Sequence, residues 1–469
     1  GGIQYTPVGR LRVHSWPIYS RKRVDMITRR TRRMASVAAI VAGTLVLGAC
    51  GSSSGGSGSP GKAASQSAAA SGPVTIKYLH RLPDGEGMTK VAGIVKKWNS
   101  EHPDIKVEAT KFPGKANELM PKLEADVKAG TAPCLVQSGY SEVPDMYVKG
   151  LVQDVTNEAE KYKGHFSGAY GQMSVGGKVV GLPQDTGPLV YVYNEAEFKK
   201  LGIGVPKTSS ELLSSAKKAA AKGKYILGFE PDEAQNWLSA QAAAAGAVWY
   251  SAEGDKWKVD TNGDKSKVVA DFWQKALDDK SAVTDARWSD AYTKDLVSGK
   301  LIGNIVAAWE TGFMLDALDK TSYNGQWRVV QLPSFGGSDM TGPDGGSGVA
   351  VVKGCKYPAQ AMQFNDWFNT QVNDLATQGL VPAAKGQVTT PEKMKKQFGG
   401  QDVMAELAKA NERLAPKFGY IPGFTVVGTK MNEKGAGAAA GKAKVGDIFQ
   451  TAQDTSVQAL KDAGLPVNG

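Results

Sequence analysis

The chain has 469 residues, more than one ordinary hydrophobic core accommodates, so one to three domains are expected. With 41% hydrophobic and 22% charged residues its composition is that of a globular protein, which excludes a wholly disordered chain, a collagen and a polytopic membrane protein. A formal charge of +10 points at first to nucleic acid or an anionic membrane as partner. The charge is concentrated at one end, however. Residues 1–49 contain nine Lys or Arg and one acid, Asp25, whereas the rest of the chain carries 47 basic and 45 acidic side chains. The body is nearly neutral and has no electrostatic reason to seek nucleic acid.

Residues 1–25 match no signal region, and a translation start at Met26 or Met34 is expected. Arg29, Arg30, Arg32 and Arg33 precede an uncharged run from Met34 to Leu47. That run is too short to span a bilayer comfortably and has the length of a signal-peptide core. It ends in Leu47-Gly48-Ala49-Cys50. Small residues fit a peptidase, and a new N-terminal thiol accepts a diacylglycerol, so this resembles the lipobox of bacterial lipoproteins. The alternative is a plain secretory signal followed by a chance cysteine. Of the 22 residues Gly51–Gly72, 19 are Gly, Ser or Ala. Such a segment buries nothing and reaches about 26 Å on average. The expected plan is a leader over 1–49, lipid on Cys50, a flexible tether over 50–73, and a body held at the extracellular face of the cell membrane.

From Pro73 onward strands and helices alternate. Val74–Leu79 reads as a strand, followed by a polar loop over His80–Gly87. Val91, Ile94, Val95 and Trp98 recur at helical spacing, and Ile105, Val107 and Ala109 alternate as in a half-buried strand. Leu119, Leu123 and Val127 mark a helix closed by Gly130, and Cys134-Leu135-Val136 is a short buried strand. This succession predicts an open, mostly parallel α/β sheet, whose ligands bind beyond the carboxyl ends of its strands. A second set follows: strands at Val190–Asn194, Tyr225–Phe229 and Trp257–Val259, with helices at Ser209–Ala221, Trp237–Ala245 and around Val268–Leu277. The turn Asp260–Asp264 only loosely matches a calcium loop and is better read as strand–turn–helix. Beyond Cys50, Cys134 and Cys355 remain, an even pair that exported chains oxidise and that could equally be two buried thiols.

The segments Trp98–Val107, Gly130–Val136, Gly181–Pro188 leading to Tyr193-Asn194, Ala307–Glu310 and Gly345–Val351, taken in this order and spacing, resemble the bacterial solute-binding proteins of ABC transporters. The nearest subgroup is the oligosaccharide (maltose-type) binders carried as lipoproteins by Gram-positive bacteria. The resemblance implies a two-lobe periplasmic-binding-protein-like fold of type II, with ligand in the cleft. The lobes would comprise 74–182 plus 348–384 and 183–347 plus 385–469. It also implies that Gly348–Val352 runs antiparallel beside the third strand, which favours a Cys134–Cys355 disulfide.

A pyranose has apolar C–H faces and a rim of hydroxyls, so its site needs aromatic platforms and fixed donors and acceptors. Trp309 at a strand end, Trp237 at a helix start and Trp288 after a loop are candidate platforms; Trp98, Trp273 and Trp367 lie on helix faces and read as core. Asp185 at the first crossing, Tyr140 and Glu142 after the third strand, and His80, Arg81 and Asp84 in the first loop are the polar candidates, with Gly346 and Ser347 at the return crossing. Phe424, in Ile421-Pro422-Gly423-Phe424, stands where maltose-type binders place a tryptophan, a departure that hints at a different sugar. The body has three histidines and no HExxH, paired CxxC or P-loop, so neither a metal, a cofactor nor a catalytic residue is expected. The expected function is a monomeric, lipid-anchored protein that captures an oligosaccharide for the permease subunits of an ABC importer. A secreted carbohydrate-active enzyme, or a binder of a non-sugar solute, is the alternative.

Overall fold

The computed structural model describes residues 72–114 and 116–468. The leader, Cys50 and the tether up to Ser71 lie outside the described residues. The first sheet is built from β1 (Val74–His80), α1 (Val91–Glu101), β2 (Ile105–Lys111), α2 (Leu119–Ala129), β3 (Leu135–Gly139), α3 (Val143–Val148) and β4 (Gly181–Pro183). In β1, Val74, Ile76 and Tyr78 point into the core while Thr75 and Lys77 face out, the period of two that the sequence shows. α2 stops at Gly130, whose φ of 72° is a left-handed helix end.

The second lobe is organised around β5 (Leu189–Asn194), buried along its whole length between β6 (Gly303–Ala307) and β7 (Trp327–Gln331), both antiparallel to it. α4 (Glu310–Leu318) follows β6 directly, and the chain returns to the first sheet as β8 (Ser347–Val351). The first sheet has the order β2-β1-β3-β8-β4. β1, β2 and β3 are parallel; β8 runs antiparallel to β3, with Val351 opposite Leu135. Two long helices, α5 (Phe424–Ala439) and α6 (Val445–Asp462), pack on each other and close the second lobe. Its main core surrounds Trp237 and Trp273, and that of the first lobe surrounds Trp98, Phe364 and Phe368.

Several local details differ from the expected elements. Tyr225–Phe229 is held only by single bridges, Tyr225 to Leu301 and Gly228 to Val283, because the Asn304 side chain takes the Gly228 N–H at 2.9 Å. Trp237 lies within a π-helical turn over Ala234–Leu238, with the α-helix beginning at Ser239. The helix expected at Ser209–Ala221 ends at Ala220 and is capped by Thr208, whose hydroxyl accepts from Glu211 N.

Three chain crossings join the lobes, and they bond to one another. Val381 pairs with Thr186, Pro382 with Asp185 and Pro188 with Pro343; Asp344 N donates to Gly187 O at 2.7 Å. Gly187 must be glycine, since a Cβ there would lie 2.1 Å from the Asp344 carbonyl oxygen. Beside them, Val352 N donates to Cys134 O, and Cys134 and Cys355 form a disulfide with Cα atoms 4.6 Å apart. No helix among the described residues is long and apolar enough to cross a membrane.

Candidate ligand-binding site

The carboxyl ends of β1 and β3 carry the loops expected to meet a ligand, and the structure ties these loops together. Arg81 N donates to Gln137 Oε1 at 2.6 Å, and the Arg81 guanidinium pairs with Glu142 at 3.5 Å, both side chains retaining some solvent contact. Glu142 also accepts from Gly139 N. Their neighbours are used differently. His80 is only 3% exposed, and its Nδ1 accepts from Leu82 N at 3.2 Å. Burial pushes its pKa down to about 4, so the ring is a neutral acceptor inside the first lobe, not a ligand group. The Asp84 carboxylate accepts from Val91 N, capping α1, and from Gln378 Nε2. Neither is brought to the cleft by the structure: burial claims one and helix capping the other.

At the crossings, Asp185 already has protein partners. Its Oδ1 accepts from Ser347 N at 2.8 Å and Ser347 Oγ at 2.7 Å, and Gln137 donates to the same hydroxyl. Desolvation raises the Asp185 pKa to about 6, against the lowering effect of the Ser347 bonds. Asp185 and Ser347 therefore clip two crossings together through Asp185 Oδ1. Tyr140 donates to the Asp185 carbonyl at 2.6 Å. Its ring lies on Gly346, where a Cβ would approach to 2.8 Å, so the glycine with its φ of 90° provides the seat for the ring.

Trp309, at the end of β6, donates through Nε1 to Asp344 O at 2.8 Å. Phe313 lies edge-on to it and stacks on Trp288, whose indole donates to Glu310. These three rings form an aromatic patch of the second lobe, with Phe313 41% exposed. Trp237 does not join them. It is fully buried, donates to Ile305 O, and packs against Phe229 and Trp273. The reason is the π-helical turn, which points the indole inward beneath β6. Phe424 is also buried, between Tyr250 and Tyr420. Tyr420 lines one of the cavities between the lobes, and the largely buried Phe424 ring meets the edge of another.

Behind Trp309 lies a buried charge cluster that sequence reasoning missed. Arg287 contacts Asp344 at 2.5 Å, Glu230 at 2.8 Å, Glu310 at 3.5 Å and Glu233 at 3.6 Å, and its guanidinium lies 5.3 Å from the Trp309 ring centre. Desolvation raises the Glu310 pKa to about 7, with Arg287 opposing the shift; burial holds Glu230 far above the carboxylate range. The acids come from three segments, Glu230 with Glu233, Glu310, and Asp344, and Arg287 from a fourth, so no spacing in the chain announces the cluster.

Among the cavities that open between the lobes, two lie beside the residues described above, and another of about 840 Å³ is lined by Ser167, Ala383, Gln387 and Asn411. Of the two, one, of about 450 Å³, is lined by the aromatic rings of Tyr140, Phe418 and Tyr420 and by the polar side chains of Gln172, Asn411 and Glu412. The other, of about 710 Å³, lies between Ser141 and Glu142 of the first lobe and Glu233, Asn236 and Thr425 of the second. Volumes of this size suit small-molecule ligands. Phe418 and Tyr420 were missed by the sequence reading, although both lie within six residues of Phe424. Among the described residues no group of His, Cys, Asp and Glu side chains is arranged to hold a metal ion.

Residues 84–373 match the family model described as bacterial extracellular solute-binding protein. The galacto-N-biose/lacto-N-biose I-binding protein of an ABC transporter from Bifidobacterium longum, solved with lacto-N-biose, is 52% identical, with a TM-score of 0.82 over 85% of this chain and all of that one. An ABC transporter binding protein from B. animalis subsp. lactis, solved with β-1,6-galactobiose, is 23% identical, with a TM-score of 0.72 over 84% of this chain and 99% of that one, a likeness of fold. A lipoprotein encoded in the oleD 5′ region of Streptomyces antibioticus is 24% identical over 318 residues, 65% of this chain and 68% of that protein. With the family model matching well over half its length and the two-lobe architecture in place, the chain belongs to the bacterial extracellular solute-binding proteins.

Proposed function

We propose that this protein binds an oligosaccharide between its lobes and delivers it to the permease subunits of an ABC importer, without altering it. The ligand is a disaccharide of the galacto-N-biose or lacto-N-biose kind. The observation that carries this reading is the 450 Å³ cavity, where three aromatic rings stand among amide and carboxylate side chains. Rings pack on the apolar faces of a pyranose, and amides and carboxylates bond its hydroxyls. The 52% identity to a lacto-N-biose-binding protein supports the choice of sugar.

Tyr140, Phe418 and Tyr420 form the platforms in this reading. Arg81 and Glu142 contribute from the first lobe, while Trp309, Trp288, Asp185, Ser347 and Gly346 shape the surrounding walls. The lobes divide at 74–182 plus 348–384 and 183–347 plus 385–469. Lipid on Cys50 anchors a monomer at the extracellular face of the membrane, a reading supported by Leu47-Gly48-Ala49-Cys50 and by the lipoprotein relative. Cys50→Ser should move the protein from the membrane fraction into the medium, and unchanged fractionation would refute the anchor.

Isothermal titration with lacto-N-biose, galacto-N-biose, β-1,6-galactobiose and maltose tests the ligand. Saturable binding of the first two, with the sugar recovered uncut after long incubation, is the expected result. Release of monosaccharides would establish an enzyme instead, and no binding of any sugar would overturn the reading.

A further inference from the structure

Asp145, on α3 of the first lobe, is 6% exposed and lies outside the sugar contacts described above. Its carboxylate accepts three hydrogen bonds from the second lobe: Gly423 N at 2.6 Å, Thr425 N at 3.2 Å and Thr425 Oγ1 at 2.6 Å. These donors are at the start of the 16-residue helix α5. The N-cap position there is Gly423, which has a φ of 87° and no side chain with which to cap. The missing cap is thus supplied by the opposite lobe, with the favourable placement of a carboxylate at a helix N-terminus.

The same bonds hold the segment 414–423, which carries Phe418 and Tyr420 into the 450 Å³ cavity. Gln172 of the first lobe donates to Phe418 O at 3.2 Å, so the segment is drawn to that lobe at both places. Tyr140, from the first lobe, forms the facing wall. The aromatic enclosure is complete only while these contacts between lobes are made.

We propose that Asp145 is a positioning residue for ligand capture, a latch that caps α5 across the cleft in the closed form and fixes Phe418 and Tyr420 against the sugar. Opening of the lobes releases all three of its hydrogen bonds and uncovers the first turn of α5. Closing restores them, so the latch and the ligand favour the same state. Removing the latch lowers the closed population and weakens apparent affinity in proportion.

The inference rests on the oligosaccharide reading for its ligand, and the test has one readout that does not. In the ligand-free protein, Asp145→Ala should speed amide exchange in the 414–427 region while leaving α6 and the first sheet unchanged. With lacto-N-biose, Asp145→Ala should raise Kd about tenfold, as expected of a coupling between separate sites. Asp145→Asn, which keeps one acceptor, should raise it less. Thr425→Val should weaken binding in the parent, by less than Asp145→Ala, and add little in Asp145→Ala, because the one bond it removes is already absent there. Unchanged exchange in 414–427 overturns the latch, as does exchange that rises throughout the chain, or a Kd that stays at the parent value. If the parent binds no sugar, the oligosaccharide reading fails, while the exchange comparison still decides whether Asp145 holds the lobes.

Discussion

Replacing Arg287 with methionine should reveal what the buried cation does. Its guanidinium is 5% exposed and, among the described residues, is the positive group that Glu230, Glu233, Glu310 and Asp344 share. Breaking a buried ionic set from one side costs about 3–5 kcal/mol, because the remaining charges are left unpaired. The cost depends on protonation. Glu310 is fully buried, and its pKa is raised from an ordinary 4.5 to about 7. The folded protein therefore holds this proton more tightly than the unfolded chain does. Its contribution to stability is complete below about pH 4.5 and is lost as pH rises through about 7, at no more than about 1.4 kcal/mol per pH unit. Glu233 shifts the same way but counts for less, since about a quarter of its side chain meets solvent. Without Arg287 the attraction opposing these shifts disappears, so the carboxyls hold their protons to still higher pH. Urea unfolding of parent and Arg287→Met should show a deficit of about 3–5 kcal/mol at pH 8 that shrinks markedly at pH 5.5. A deficit that is the same at both pH values would refute the argument, because the cation would then not be compensating ionised acids.

The cavity assignment predicts opposite behaviour for two aromatic residues. Tyr420→Ala should weaken lacto-N-biose binding by about 2 kcal/mol with a modest loss of stability, whereas Trp237→Ala should cost about 3–5 kcal/mol of folding stability; titration calorimetry and urea unfolding separate them. Equal effects of both substitutions on Kd relative to stability would remove Tyr420 from the site. Intact mass after alkylation without reductant should show Cys134 and Cys355 unmodified, and Cys134→Ser with Cys355→Ser should lower unfolding free energy by about 2–5 kcal/mol. Two alkylated thiols would contradict the bond. His80 works against the buried carboxyls. Its pKa is lowered to about 4, so its contribution is present above the unfolded value near 6.5 and is lost as pH falls through about 4. His80→Asn should flatten the acid limb of the stability profile, and an unchanged limb would mean that the imidazole is already charged.

Much of the fold was readable because it depends on local signals. The alternation of Val74, Ile76 and Tyr78, the helical recurrence of Val91, Ile94, Val95 and Trp98, and the glycine stop at Gly130 each survive in the structure as read. Failures occurred where a distant side chain overrode a local preference. Asn304 occupies the Gly228 amide and keeps Tyr225–Phe229 from forming a ladder, although its composition suits a strand.

The site was less legible for a related reason. Sequence can nominate residues at strand ends and crossings, but it cannot show whether a polar group already has a partner within the protein. Asp185 reads in the sequence as a carboxylate for sugar hydroxyls, yet Ser347, 162 residues away, already takes its Oδ1. Trp237 and Trp309 were nominated on the same grounds. A π-helical turn buries one, while a bond to the Asp344 carbonyl places the other beside the crossings. Polar residues in such a cleft divide into those that set the walls and those left with bonding capacity for a ligand. Ser347 and, through its Oδ1, Asp185 are of the first kind, since these atoms already bond within the protein. Of the cavity residues, exposed Glu412 is better placed for the second, while Gln172 and Asn411 keep only the capacity left after bonding Phe418 O and the Thr186 hydroxyl. A ligand that meets amides and an exposed carboxylate beside three aromatic rings needs hydroxyls and apolar faces together, which is the surface of a sugar and not that of a simple ion.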